Sequence, residues 1–252
     1  MKSVIKAFKV LEAFSLEQPE LAFTKIVNGT GFGRTNTHKL LKTLVSLNCL
    51  SQNRNGAPYR LGPRLFELGS QYITQLNLCR VAMPYLVKLA EDFENSVYLC
   101  IENKGEALCL ERVDGPSDIK VTVLQQGGRL PLHVGAAPLV LLAGMKDQKI
   151  ANIMHEKGFK KYTENTVQKM DKLMEKIRMV RKYGYTESWE DVTTGVASYG
   201  APVRDATGEI IAAISIGGIL LRYEGERKKN LINLVKETAL AVSKDLGYTQ
   251  CL

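Results

Sequence analysis

The sequence predicts an α+β protein: an N-terminal winged helix-turn-helix of three helices and a β-hairpin wing, joined by a helix to a larger α+β domain with an antiparallel sheet. Three observations lead there. Residues 1–62 read helix, short helix, turn, amphipathic helix and hairpin, the element order of a winged helix-turn-helix. The same stretch carries most of the net positive charge. Beyond it, strand patterns are enclosed between helical segments, without internal repeats or low-complexity tracts.

Ser3 is a fitting N-cap, and Val4, Ala7, Phe8, Leu11 and Phe14 follow at helical spacing, giving a first helix. Pro19 ends the pattern. A second, short helix is expected over 21–27, stopping at the turn-forming run Asn28-Gly29-Thr30-Gly31. Gly33 or Arg34 opens the third, within GFGRTNTHKLLKTLVSL. There Thr37, Leu40, Leu41, Leu44 and Leu47 share one face, and Thr35, His38, Lys39, Lys42 and Ser46 the other. In CLSQNRNGAPYRLG two extended segments flank Asn55-Gly56, a strong hairpin signal.

A linker helix is expected over 63–76 and another helix over 80–93, with Val81, Tyr85, Leu86, Leu89 and Phe93 on its apolar face. Strands follow at 97–101 and 107–113 around the turn Asn103-Lys104-Gly105, which sets Cys100 across from Cys109. An extended segment at 120–124 precedes a glycine-rich loop, and PLHVGAAPLVLLAG passes from loop to short buried helix. Then come an amphipathic helix over 166–182, strands at 185–189, 196–203 and 210–217 with Asp205-Ala206-Thr207-Gly208 as the turn between the last two, and a closing helix over 231–246. The chain thus divides into 1–62, a linker 63–77, and 78–252.

The net charge of the 252 residues is +8, and its placement is uneven. Residues 1–64 hold ten cations against three carboxylates, a net +7, so +1 is left for the other 188. A basic first quarter suits a module that meets a polyanion, nucleic acid being the common one, with a solvated basic surface as the alternative. The reading set on the third helix is Arg34, Thr35, Asn36, His38, Lys39 and Lys42, with Arg54 at the hairpin tip. Its cations can neutralise phosphates, and its hydroxyl and amide groups can reach base edges. For Asn36 and His38, capping or packing is the competing role.

The longest apolar stretches run to about a dozen residues, short of the roughly 20 needed to span a bilayer. The start lacks the uninterrupted apolar core of a signal peptide, which points to a cytoplasmic protein. Five cysteines without CxxC spacing suggest reduced thiols and no zinc finger. No cofactor is expected.

Along nearly the whole chain the residues resemble the IclR family of transcriptional regulators. The carriers are SVIKAFKVLEAF, RTNTHKLLKTL, YRLG and RLFELGSQY, then GGRLPLH, RKYGYTES, GVASYGAPVRDATGEIIAAISIGG and KDLGY. The resemblance implies an N-terminal winged helix and a C-terminal small-molecule-binding domain of GAF/PAS-like fold, assembled as a homodimer or homotetramer on a double-stranded DNA operator, as a repressor or an activator. It implies a small organic, carboxylate-bearing effector held by Ala136, Ala137, Ser188, Ser198, Ser215 and Gly217. Asn36 stands where the family usually has Ser or Thr, Lys39 where it has Arg, and Pro138-Leu139 where it has Gly-Lys. Pro138 cannot donate a backbone N–H, which alters the ligand loop. Small residues at the six pocket positions also suit tight packing.

Two other function classes stand beside a regulator. An enzyme would have to rest on His133 or His155, since GFGRTN lacks the third glycine of a dinucleotide fingerprint and follows a helix, and no P-loop, HExxH or GxSxG is present. His133 either orients its loop or contacts a ligand or metal. Cys100 and Cys109 read as packed thiols or as redox partners, and Trp189 and Tyr199 as pocket walls or as core. A scaffold that only dimerises is the third class.

Overall fold

The computed structural model describes residues 2–15, 17–54, 56–75, 77–117, 123–223 and 225–249, with the backbone alone at 2 and 73–75. It begins with α1 (Lys2–Leu11). The packed stripe of α1 differs from the expected one. Val10 and the following Phe14 are buried, with Ala7 and Leu11 against them, whereas Val4, Ile5 and Phe8 stand more than half exposed. Apolar residues cover more than half the circumference of this helix, and periodicity cannot say which part of so broad an apolar face is packed.

Leu21 belongs not to the second helix but to β1 (Glu20–Leu21). This strand pairs antiparallel with β3 (Tyr59–Leu61), whose other edge takes β2 (Leu50–Ser51). Accordingly α2 (Phe23–Thr30) starts later than expected and runs through Asn28-Gly29. It ends at Gly31, whose φ of +68° suits glycine and whose N–H bonds the Val27 carbonyl. Next is α3 (Arg34–Ser46), which buries Thr37, Leu41 and Leu44. Leu47 leaves the expected apolar face: it follows the last helical residue and is 57% exposed. Between β2 and β3 the connection spans residues 52–58, longer than a two-residue turn, and Asn55 lies outside the described residues. One small core joins these elements around Ile26, Leu41, Leu50 and Tyr59. With α4 (Pro63–Gln75) they form the first of two compact units, residues 1–75, the second being 76–252.

The second unit opens with α5 (Asn77–Phe93), three residues ahead of expectation, which buries Cys79, Ala82, Leu86, Leu89, Ala90 and Phe93 while Val81 and Tyr85 are only half covered. Six strands make one antiparallel sheet: β4 (Ser96–Asn103), β5 (Glu106–Asp114), β6 (Arg129–Pro131), β7 (Thr186–Trp189), β8 (Val196–Arg204) and β9 (Ile210–Ile219), in the order β6-β5-β4-β9-β8-β7. Lys104 and Gly105 both take positive φ between β4 and β5, as a tight hairpin requires, and Cys100 pairs with Cys109 as free, buried thiols. The hydrogen-bonding contact with Cys109, together with burial, holds the Cys100 thiol well above the ordinary cysteine range, the state of a packed thiol.

Several helical and strand assignments differ from expectation. The extended segment at 120–124 falls largely on 118–122, outside the described residues, and 123–124 are not in a strand. β6, three residues ending in proline, and α7 (Asp147–Lys157) were not anticipated. α8 (Met170–Tyr183) starts after the predicted 166, because Thr166 closes a loop instead: its hydroxyl accepts the N–H groups of Tyr162 and Thr163 and donates to the Asp191 carbonyl at 2.8 Å. α9 (Gly225–Asp245) begins six residues early.

The sheet is covered on both faces. α5 and α9 pack on one, and α6 (Ala136–Ala143), backed by α8, packs on the other. Every residue of α6 is buried, as an eight-residue run without a polar side chain requires. Its first turn fits because position 200 is glycine: a Cβ there would stand 3.1 Å from the Ala136 carbonyl carbon. No helix among the described residues is long and apolar enough to cross a membrane.

Replacing the fully buried Leu139 of α6 by alanine is expected to cost about 2–5 kcal/mol of stability, and by methionine under about 1.5 kcal/mol, in urea titrations followed by circular dichroism.

Candidate functional site

In the first unit the exposed side of α3 gathers the predicted reading residues. Arg34, Thr35, Asn36, His38, Lys39 and Lys42 are all exposed. At 3.6 residues per turn, Thr35, Lys39, Lys42 and Ser46 lie opposite the buried Thr37, Leu41 and Leu44. The flanks differ from this central stripe. Arg34 places its guanidinium over the Phe23 ring of α2 at 5.3 Å, and His38 meets the edge of the same ring at 6.3 Å. Asn36 turns the other way, lining with Lys39 the groove toward Ser3, Lys6 and Ala7 of α1. Arg54 is exposed in the 52–58 connection. The first turn of α3 contains no carboxylate, so the positive end of the helix dipole is uncompensated at Arg34, a setting that favours a phosphate. Elsewhere on the wing, Arg60 is engaged by Glu20 in an exposed ion pair.

In the second unit, alternation along the strands aims one row of small side chains at α6. Ser188, Ser198 and Gly217 stand side by side on β7, β8 and β9, and Gly200, Ser215 and Tyr98 form the next row on β8, β9 and β4. Ala136, Ala137, Ser188, Ser198, Ser215 and Gly217, drawn from four separate segments, all line one cavity of about 50 Å³ between the sheet and the start of α6. That is about a third of the ~150 Å³ that accommodates benzene, so as it stands the space suits a molecule of a few heavy atoms. Leu124, Leu130, Pro138 and Val196 supply apolar wall. Trp189 and Tyr199 do not line it. Their odd register turns them to the other face of the sheet, where Tyr199 meets Tyr223 edge-on at 5.5 Å and Lys228 of α9 lies over Trp189 at 4.7 Å.

The groups at the helix start are the chemical centre of this cavity. Gly135 holds φ +79° and ψ 159°, a conformation open to glycine, and ends the PLH loop with its N–H aimed at Asp191 Oδ2, 3.2 Å away. Ser198 Oγ accepts the Ala136 N–H at 3.3 Å. The Ala137 N–H, at the second helical position, has no intrahelical carbonyl within reach, and Pro138 contributes no donor at all. Asp191, 1% exposed, also accepts the Ser188 hydroxyl on Oδ1. Sequence reasoning missed Asp191; its loop position between two strands gave no periodic signal. Ser215 is 5% exposed, and its hydroxyl has no hydrogen-bond partner among the described residues.

His133 anchors the loop from behind. Its Nε2–H donates to the Lys160 carbonyl at 3.0 Å, which leaves Nδ1 bare and buried without a partner, and Phe159 packs against the ring. Burial pulls the imidazole below its usual 6.5, against the opposing pull of the Lys160 carbonyl and the Asp191 carboxylate. This favours the orienting role. Among the described residues no three His, Cys, Asp or Glu side chains converge as for a metal ion.

A basic helix-turn-helix with a wing, followed by an α+β unit that encloses a small polar-mouthed cavity, defines a DNA-binding transcriptional regulator. The comparisons with known proteins give the family. The model for the bacterial transcriptional regulator IclR C-terminal domain matches residues 70–244, and that for the IclR helix-turn-helix domain matches 3–54. The chain belongs to the IclR family. It is 28% identical to the HTH-type transcriptional regulator KipR of Bacillus subtilis (strain 168), over 98% of both chains. Among solved structures, a transcriptional regulator from Rhodococcus sp. RHA1 superimposes with a TM-score of 0.86 at 28% identity, covering 98% of each chain. An IclR homolog from Microbacterium hydrocarbonoxydans, crystallised with 4-hydroxybenzoate, shares the fold with a TM-score of 0.86 at 22% identity, covering 97% of this chain and 98% of that one.

Two measurements probe these residues. Lys42→Ala is expected to weaken DNA binding on all sequences alike and to lower the slope of log K against log salt by about 1, in fluorescence-anisotropy titrations at several salt concentrations. For His133 the unfolded chain takes up a proton below pH 6.5 that the folded chain resists, so stability grows with pH up to that value and is lost below it. Urea midpoints compared between about pH 7.5 and pH 5 should show a smaller loss in His133→Gln than in the parent.

Proposed function

We propose that the cavity at the start of α6 is the site of a small organic effector, carboxylate-bearing, whose binding changes the affinity of the α3 reading set for an operator. One observation carries this reading: a largely apolar cavity is lined by the Ser215 hydroxyl, which has no hydrogen-bond partner among the described residues, and by Ala137, whose N–H is the orphan of the helix start. Serine hydroxyls and amides suit an oxygen-bearing ligand without a buried counter-cation. The 4-hydroxybenzoate in the Microbacterium relative, a small organic acid, agrees with that chemistry.

In this reading residues 1–62 bind DNA through Arg34, Thr35, Asn36, His38, Lys39, Lys42 and Arg54. Residues 63–77 connect, and residues 78–252 hold the effector through Ala136, Ala137, Ser188, Ser198, Ser215 and Gly217 and assemble the chain into a homodimer or homotetramer. The protein acts in the cytoplasm without catalysing a reaction. Effector and DNA are then linked by a coupling free energy, commonly about 1–3 kcal/mol, and each changes the other's affinity by the same factor.

A mobility shift on DNA upstream of its own gene, at two salt concentrations and with a panel of small organic acids, tests this. Specific, salt-sensitive binding that one acid alters supports it; binding no tighter than to random DNA removes it. Ser215→Phe is expected to abolish the response to that acid while leaving DNA affinity within about twofold, since the cavity has no room for a ring.

A further inference from the structure

We infer that Asp191 sets the specificity of this cavity: the effector presents a hydrogen-bond donor, a hydroxyl or an amine, to its carboxylate, and a simple carboxylate or a diacid is discriminated against. The inference rests on the effector reading above and names the class of ligand within it, a hydroxy- or amino-substituted acid.

The start of α6 is already occupied by protein groups. An anion entering an empty helix N-terminus would be drawn to the free N–H groups and the dipole. Here that place has a resident anion. Asp191 Oδ2 takes the Gly135 N–H at 3.2 Å, and Ser198 Oγ takes the Ala136 N–H at 3.3 Å. Asp191 lines the cavity, is 1% exposed and forms no ion pair with a lysine or arginine among the described residues. His133 feels this carboxylate, but burial outweighs it and pulls the imidazole below its usual range, away from serving as a counter-cation.

A carboxylate has about four lone-pair sites, and the two donors found here leave some of them unused. A ligand hydroxyl or ammonium would use one of them and gain a charge-assisted hydrogen bond. A ligand carboxylate brought to the same spot would face the like charge of a side chain that is 1% exposed, where repulsion is less screened than at the surface. Ligand carboxylate groups are therefore left to the other polar features lining the cavity, the Ala137 N–H and the Ser215 hydroxyl. The sign of the selectivity thus follows from a side chain already seated.

The test measures binding to the full chain by isothermal calorimetry and thermal shift in a matched set sized to the cavity: acetate, glycolate, glycine and malonate. In the parent the hydroxy or amino member of the set should bind about tenfold tighter than the plain acid, and the diacid weakest. In Asp191→Asn the preference should shrink to about twofold or less, and the diacid should gain. Ser188→Ala, which frees Asp191 Oδ1 and removes no charge, should move the preference the opposite way, upward, and serves even if the Asp191 variant folds poorly. Ligands that bind with an unchanged ranking in both variants would make Asp191 a loop tether only and overturn the inference while sparing the effector reading. No binding by any probe to the parent or either variant would overturn both.

Discussion

Burial of α6 is the constraint on which the second unit depends. Eight residues without a polar side chain, from Ala136 to Ala143, can persist only if covered on every side. The sheet covers one side through β4, β8 and β9, and α8 covers another. That requirement fixes which face of each strand carries small residues, since a helix can approach only where Gly200 and Ser198 leave room. It also leaves the amides at the helix start inside the protein, where they need partners or a ligand. The cavity is a by-product of packing a helix with a tight, proline-containing first turn against a sheet.

The polar groups at that start have unequal fates. Gly135 and Ala136 are served by Asp191 and Ser198, whereas the Ser215 hydroxyl has no partner among the described residues. That hydroxyl lines the cavity, where a ligand or a water can bond it. The first unit works by the opposite principle. Its α3 exposes its cations and hydroxyls to solvent, and their value appears only when a polyanion replaces counterions and water. One chain thus carries a site of polarity hidden in an apolar wall and a site of polarity displayed on a helix.

Much of both sites was legible in the residues. The third helix, the wing and the strands at β4, β5, β8 and β9 follow from periodicity and turn chemistry that act within a few residues. The cavity positions were reached through resemblance, and parity along the strands explains why Ser188, Ser198, Ser215 and Gly217 share a wall, with Ala136 and Ala137 brought to it by α6. Asp191 was invisible because its importance comes from Gly135, a residue far off in the chain, and the start of α8 was misplaced because Thr166 is spent on a loop.

By itself, then, the sequence determined the element types, the uneven charge and the face of α3 that stays polar, because each is written in local spacing and composition. Only the tertiary structure decided which stripe of α1 is packed, that Leu21 joins a sheet, that Trp189 and Tyr199 lie behind the sheet and that Asp191 sits at the start of α6. Those outcomes depend on which distant segments compete for the same surface, and burial, unlike helical periodicity, is a property of the whole fold.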